Sequence, residues 1–305
     1  MTLSELAAGV YAWVQPDGGW WINNAGAVHG EDGVVLIDTC ATAARTRRFL
    51  SAVADATGAA PIRVAINTHF HGDHTYGNAL LPDSTVLIGH EHTRTEILAD
   101  TMLTTKIPPI WSPAPEWGVS RTRTPTVVLN QDLTVFAGNH RIDLRHPGHE
   151  AHTHGDVVAW LPEQRVLFAG DLLFHQVTPL VLQGSFDGAL RSLDWLRQFP
   201  AARIVPGHGP VIDEAQLGAV LAAQTRYFQL IQQTARAGLA AGLTPLQASR
   251  DCDLGEFAGW PDQQRIVLNL HRAYADATGA AMDLMTAFTD ATTFNGGPIE
   301  CAVNQ

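Results

Sequence analysis

The chain has 305 residues, of which 46% are apolar and 16% charged, and its formal net charge is −11. That length and balance fit an ordinary globular protein with a large core, built as one big domain or as one domain with an extension. The negative charge argues against a nucleic-acid backbone as the main partner. Three cysteines, Cys40, Cys252 and Cys301, are too few and too scattered for a disulfide framework. The first ten residues lack a basic start and a long apolar core, and no run of eighteen apolar residues occurs. The expectation is a cytoplasmic protein with no membrane span and no nucleic-acid partner.

In chain order, residues 9–15 predict a first strand, followed by the turn Pro16-Asp17-Gly18-Gly19. Residues 20–28 predict a second strand and Val34–Asp38 a buried third. Trp20 and Trp21 adjoin the turn; either one overhangs a site, or one is in the core and the other half buried. The pattern over 41–58 predicts a helix with Ala44, Phe49, Leu50 and Val53 on its apolar face and Gly58 as its stop. A strand over Ile62–Ile66 follows. A short helix at 77–81, a strand at 85–88 and a helix at 93–103 come next.

Residues 106–126 hold five prolines and two tryptophans, which fit neither a helix nor a central strand. Such a loop is a candidate lid, with Trp111 and Trp117 walling a pocket, or a surface loop pinned by its tryptophans. A strand pair is expected at 127–136 and 140–146, and another at 157–161 and 166–169. Then come a helix over 186–199, a strand over 203–205 and a long amphipathic helix over 213–238. Thr244-Pro245 reads as a helix cap with proline in the first turn. Two more helices, broken near Gly279, fill 261–290. This tail is a candidate to shape the pocket, form a homodimer interface or cover a sheet face.

The densest chemistry lies in residues 64–78, V-A-I-N-T-H-F-H-G-D-H-T-Y-G-N. Three histidines and an aspartate fall within six positions, and both residue types are usual ligands for a divalent metal such as zinc. Alternation places His69 and His71 on one side of an extended chain. Gly72 permits a sharp turn, after which Asp73 and His74 point to a second position. One loop thus offers two ligands to each of two metals. His90 and His92, in G-H-E-H-T-R, are read as supporting residues. Further on stand P-G-H-E-A-H-T-H-G-D, V-L-F-A-G-D-L-L and I-V-P-G-H-G-P.

These four motifs, in this order over roughly residues 10–215, resemble the signature of the metallo-β-lactamase fold superfamily. The resemblance implies a four-layer αββα sandwich of two mixed sheets flanked by helices. It divides the chain into a catalytic domain at 1–240 and a C-terminal helical extension at 241–305. It implies that one metal takes His69, His71 and His152, that the other takes Asp73, His74 and His208, and that Asp171 bridges them. Among His149, His152 and His154, the family's ligand is followed by Thr or Ser, which selects His152. Zinc is the expected metal, with iron or manganese as alternatives.

Two such ions share a water and lower its pKa, so that the resulting hydroxide attacks a carbonyl, with Asp73 able to orient it. Trp21, Trp111 and Trp117 are the candidate substrate contacts. A bridging aspartate at position 171 resembles the glyoxalase II-like and lactonase-like branch rather than authentic β-lactamases. His71 stands where the oxygen-reducing diiron branch has a carboxylate. The expected activity is hydrolysis of a small ester, thioester, lactone or lactam. The alternatives are an iron dioxygenase acting on a persulfide, true β-lactamase activity, and a non-catalytic binding protein.

Overall fold

A computed structural model describes residues 2–15, 18–105 and 108–305. Pro16 and Asp17 of the expected turn, and Lys106 and Ile107 of the proline-rich loop, lie outside the described residues. The first half runs β1 (Thr2–Ala7), β2 (Val10–Val14), β3 (Ala25–Gly30), β4 (Gly33–Ile37), α1 (Ala43–Thr57), β5 (Ile62–Ile66), α2 (Gly72–Thr75), β6 (Val86–His90), α3 (Glu91–Ala99), β7 (Trp111–Ser112) and β8 (Val127–Leu129). The second half runs β9 (Asp132–Ala137), β10 (His140–Arg145), β11 (Val158–Leu161), β12 (Val166–Phe174), α4 (Phe186–Leu196), β13 (Arg203–His208), β14 (Ile212–Asp213), α5 (Glu214–Ala240), α6 (Pro245–Asp251), α7 (Arg265–Thr278), α8 (Leu284–Asn295) and β15 (Ile299–Glu300).

Two mixed sheets result, in the orders β1-β2-β3-β4-β5-β6-β8 and β14-β13-β12-β11-β10-β9. Alternation along β4 shows how they stack. Val35 and Ile37 face inward, in one cluster with Ile142, Leu144, Ala159 and Phe168 of the second sheet. Val34 and Leu36 face outward, against Phe49 and Val53 of α1. Helices α4, α5, α7 and α8 cover the outer face of the second sheet, sharing a core with Trp160, Leu167 and Ala169. This is the four-layer αββα sandwich, because each sheet buries both faces.

Local signals place the helices. Thr42 caps α1, accepting from the Arg45 N–H, and Gly58 ends it in the left-handed region at φ 63°. The capping boxes of α5 and α6 are complete, and Pro245 sits in the first turn of α6. Residues of α6, α7 and α8 belong to the same apolar cluster as α4 and α5.

Five expectations are corrected. The opening residues form β1, paired antiparallel with β2. The second strand starts at Ala25, not at Trp20, because Trp20 and Trp21 occupy a turn in which Trp21 has φ 64°. Segment 127–136 is not one strand: β8 joins the first sheet beside β6, and β9 joins the second beside β10. Asp171 lies within β12, not beyond it, in an interruption of the β12–β13 register where Gly170 takes φ 53°. The proline-rich loop holds a strand, β7, which pairs in parallel with β15 of the C-terminal tail. Arg45 of α1 fastens that tail further, its Nη1 donating to the Val303 carbonyl at 3.2 Å. Among the described residues no helix is long and apolar enough to cross a membrane, and the three cysteines are unpaired.

Candidate metal centre

Strand β5 ends at Ile66, and the chain then delivers His69 and His71 before turning into α2, which carries Asp73 and His74. Because β12 and β13 run parallel, Asp171 on one and His208 at the end of the other reach the same place. His152 arrives on the loop before β11. One donor group is His69, His71, His152 and Asp171, whose ligand atoms lie within 4.8 Å of one another. Asp73, His74 and His208 make a second group under the same limit.

His71 Nδ1 is 3.1 Å from His69 Nε2 and 2.9 Å from His152 Nε2. Asp171 Oδ2 is 3.4 Å from His152 Nε2 and 3.4 Å from His208 Nε2, while its Oδ1 is 3.2 Å from His74 Nε2. Asp171 therefore touches both groups. Asp73 Oδ2 stands 3.1 Å from His208 Nε2 and 3.6 Å from His74 Nε2. Tetrahedral ligands bound at 2.0–2.1 Å are spaced about 3.4 Å apart, so these separations fit a zinc-like ion in each group. His74 Nε2 and Asp171 Oδ1 are buried without a hydrogen bond, an arrangement that a cation between them satisfies. Gly207 permits the close approach of β13: a Cβ there would sit 1.8 Å from Asp171 Oδ1.

Every histidine of the two groups has its other ring nitrogen held. His69 Nδ1 meets Thr68 Oγ1 at 3.1 Å and His71 Nε2 meets Gln183 Oε1 at 3.2 Å. His152 Nδ1 meets the Leu180 carbonyl at 2.8 Å, and His208 Nδ1 meets the Gly18 carbonyl at 3.0 Å. His74 Nδ1 meets Asp38 Oδ2 at 2.8 Å. Such partners fix ring orientation and tautomer. Asp38, Thr68 and Gln183 were not singled out from the sequence. Asp38 ends the apolar run V-V-L-I-D and Thr68 immediately precedes His69, which were the available signals; Gln183 had none.

Burial pushes His69 and His71 below their usual pKa and takes His152 down to about 3, so these three histidines are neutral and ready to bind a cation. In the second group burial again opposes charge, but Asp171 and Asp73 outweigh it, raising His74 and taking His208 up to about 9. Burial also opposes the charge on Asp73, yet His74 and the His208 hydrogen bond hold it at about 2.

The other histidines lie elsewhere. His149 Nε2 faces Gly188 and Ser192 of α4, and His154 pairs with Glu150 in the open. His90 caps α3 through the His92 N–H and packs its ring on His146, centroids 4.3 Å apart. A cavity of about 450 Å³ opens above His71, Asp73, His152, Asp171 and His208, and Trp20 and Trp21 both line it. Trp111 does not wall this cavity. It is 3% exposed, with its ring centroid 5.2 Å from that of Trp21 and 5.5 Å from that of Phe288. Trp117 likewise stands behind Trp21, at 4.7 Å. Both brace the wall that Trp21 presents, since the β7–β15 pairing draws their loop inward.

The Metallo-beta-lactamase superfamily profile matches residues 18–208, which carry the whole donor set. The chain belongs to this superfamily. Relatives of the chain include the 2,4-dinitroanisole O-demethylase subunit alpha of Nocardioides sp. (strain JS1661), 27% identical over 190 residues, 60% of this chain and 51% of the relative. A hydroxyacylglutathione hydrolase of Rhizobium meliloti (strain 1021) is 33% identical over 136 residues, 44% of this chain and 43% of the relative. The chain thus spans about half the length of the curated relatives it matches. Among solved structures, a stereoselective inverting sec-alkylsulfatase from Pseudomonas sp. superposes with a TM-score of 0.70 at 16% identity, over 93% of this chain and 51% of that one. That likeness concerns the fold.

Proposed function

We propose that the chain is a two-metal hydrolase, with zinc as the metal, that cleaves a small ester, thioester, lactone or lactam in the cytoplasm. The observation that carries this reading is the meeting of both donor groups at Asp171 on the floor of a cavity of small-molecule size. Bound divalent ions would supply Lewis acidity and bring the pKa of water towards neutrality. His69, His71 and His152 would hold one of them, Asp73, His74 and His208 the other, and Asp171 both.

Asp73, held ionised, accepts a hydrogen bond from the attacking water and orients it towards the substrate carbonyl. Gln183 has a second task. Its Oε1 faces the His71 Nε2–H, and among the described residues its NH2 has no hydrogen-bond partner, so this amide is a donor available to the carbonyl oxygen. Trp21, braced by Trp111 and Trp117, positions the remainder of the substrate. The hydroxyacylglutathione hydrolase relative supports acyl transfer to water as the reaction type.

The test is elemental analysis followed by chromogenic esters, thioesters, lactones and a cephalosporin. Two zinc-type ions per chain and turnover abolished by a chelator are expected. A single iron without turnover would support the dioxygenase alternative instead.

A further inference from the structure

We infer that the substrate is uncharged and apolar beyond its scissile group, an alkyl or aryl ester or lactone, and that glutathione thioesters and other acyl donors bearing two carboxylates are poor substrates. This rests on the hydrolase reading above and adds the identity of the group that fills the cavity. Above the metal ligands the walls are Trp20, Trp21, Phe70, Ile110, Phe174 and Phe288. Filling such a space with hydrocarbon is favourable by the ordinary burial of apolar surface. Placing carboxylates there without partners is costly.

The charges around the cavity point the same way. Glu96 and Asp100 line its partly exposed outer wall, beside Met285, which is 43% exposed. Asp100 is already engaged, accepting from the Tyr76 hydroxyl at 2.8 Å and, through its other oxygen, from the Met102 N–H at 2.8 Å. An anionic substrate would pass these carboxylates on its way in.

Among the described residues, Arg265 is the lysine or arginine that lines the cavity. It is 2% exposed, and its charge is spoken for. Nη1 donates to the Thr178 carbonyl at 2.8 Å, Nη2 lies 3.1 Å from Asp262 Oδ2, and the guanidinium carbon sits 4.8 Å from the Trp20 ring centroid. Its Nε–H alone is buried without a partner. That N–H is closed off from solvent, so it adds no pairing site for the two carboxylates of a glutathione conjugate.

The test separates binding from turnover. Octanamide and S-octylglutathione each carry an eight-carbon chain, counting the amide carbon, and are not cleaved by hydrolysis at a carbonyl ester. By titration calorimetry on the zinc-loaded protein, octanamide is expected to bind at least about tenfold more tightly. Equal or tighter binding of S-octylglutathione, or no binding of octanamide, overturns the inference. Glu96→Lys is expected to narrow the ratio by threefold or more, and an unchanged ratio overturns the role of the rim charges. Turnover is read independently: extending the acyl chain of 4-nitrophenyl esters from acetate to hexanoate should raise kcat/KM by about three- to fourfold per methylene. Tight octanamide binding with no ester hydrolysed at all would sink the hydrolase reading while leaving the cavity's preference standing.

Discussion

Asp38 Oδ2 lies 2.8 Å from His74 Nδ1, and the same oxygen accepts the Thr68 hydroxyl at 2.7 Å. Thr68 Oγ1 in turn meets His69 Nδ1 at 3.1 Å. One buried carboxylate therefore orients a histidine of each donor group. Asp38→Asn is the informative variant, because Asp38 has φ 60° and asparagine tolerates that region. It should weaken both ions by roughly 10- to 100-fold, read by chelator competition. Loss at one site only would show that the two groups are oriented separately.

Asp171→Asn removes the negative charge of the residue shared by the two groups. The first group then keeps three neutral histidines, whereas the second keeps His74, His208 and Asp73. Turnover should fall by about a hundredfold or more, with the second ion lost first and folding largely intact. Two tightly held metals with near-normal rates would show that Asp171 does not link the sites.

Gln183 can be dissected by two substitutions. Gln183→Glu keeps an acceptor for His71 but removes the NH2 donor. It should lower kcat by on the order of a hundredfold with metal content preserved. Gln183→Ala removes both functions and should also loosen the metal held by His71. If the glutamate variant retains full kcat, the amide touches no reacting oxygen.

The protonation states predict a pH dependence. Metal binding at the second group must displace one proton from each of His74 and His208, so its affinity should fall as pH drops below about 9, while the first group, whose histidines are neutral, binds without releasing protons near pH 7. Calorimetry in buffers of different ionisation enthalpy counts these protons. The metal-free protein carries the complementary signature. His208, raised from 6.5 to about 9, contributes stability that is fully present below pH 6.5 and is lost as pH rises through 9. Asp73, lowered from 3.8 to about 2, contributes stability present above pH 3.8 and lost as pH falls through 2. His69, His71 and His152 are held below 6.5 and so cost stability as pH falls below that value, and the metal-free melting temperature should therefore be highest near pH 6.5 as far as this cluster is concerned.

Trp111 and Trp21 should fail in different ways. Trp111→Ala empties a site 3% exposed in the core and should cost about 3–5 kcal/mol of stability, seen as a lower Tm. Trp21→Ala should mainly raise KM for an apolar ester, because Trp21 faces the cavity. Unchanged Tm in the Trp111 variant would return that residue to a mobile loop.

The candidate metal ligands are legible because each lies in a short, distinctive segment next to an apolar strand. His69, His71, Asp73 and His74 share six positions, and His152, Asp171 and His208 each sit among turn-forming or small neighbours. The helix limits at Thr42, Gly58, Asp213 and Pro245 were equally local, since a cap is satisfied within its own turn. What tertiary structure alone decided depends on partners far apart in the chain. Asp38 is thirty-six positions from the His74 it orients, and the Gly18 carbonyl is 190 positions from His208. The strand at Trp111–Ser112 exists only because Ile299–Glu300 comes alongside it, and that pairing is what turns Trp111 from a candidate pocket wall into the brace behind Trp21. Periodicity records which residues are buried, but not against what, because long-range pairing leaves no trace in either partner's local sequence.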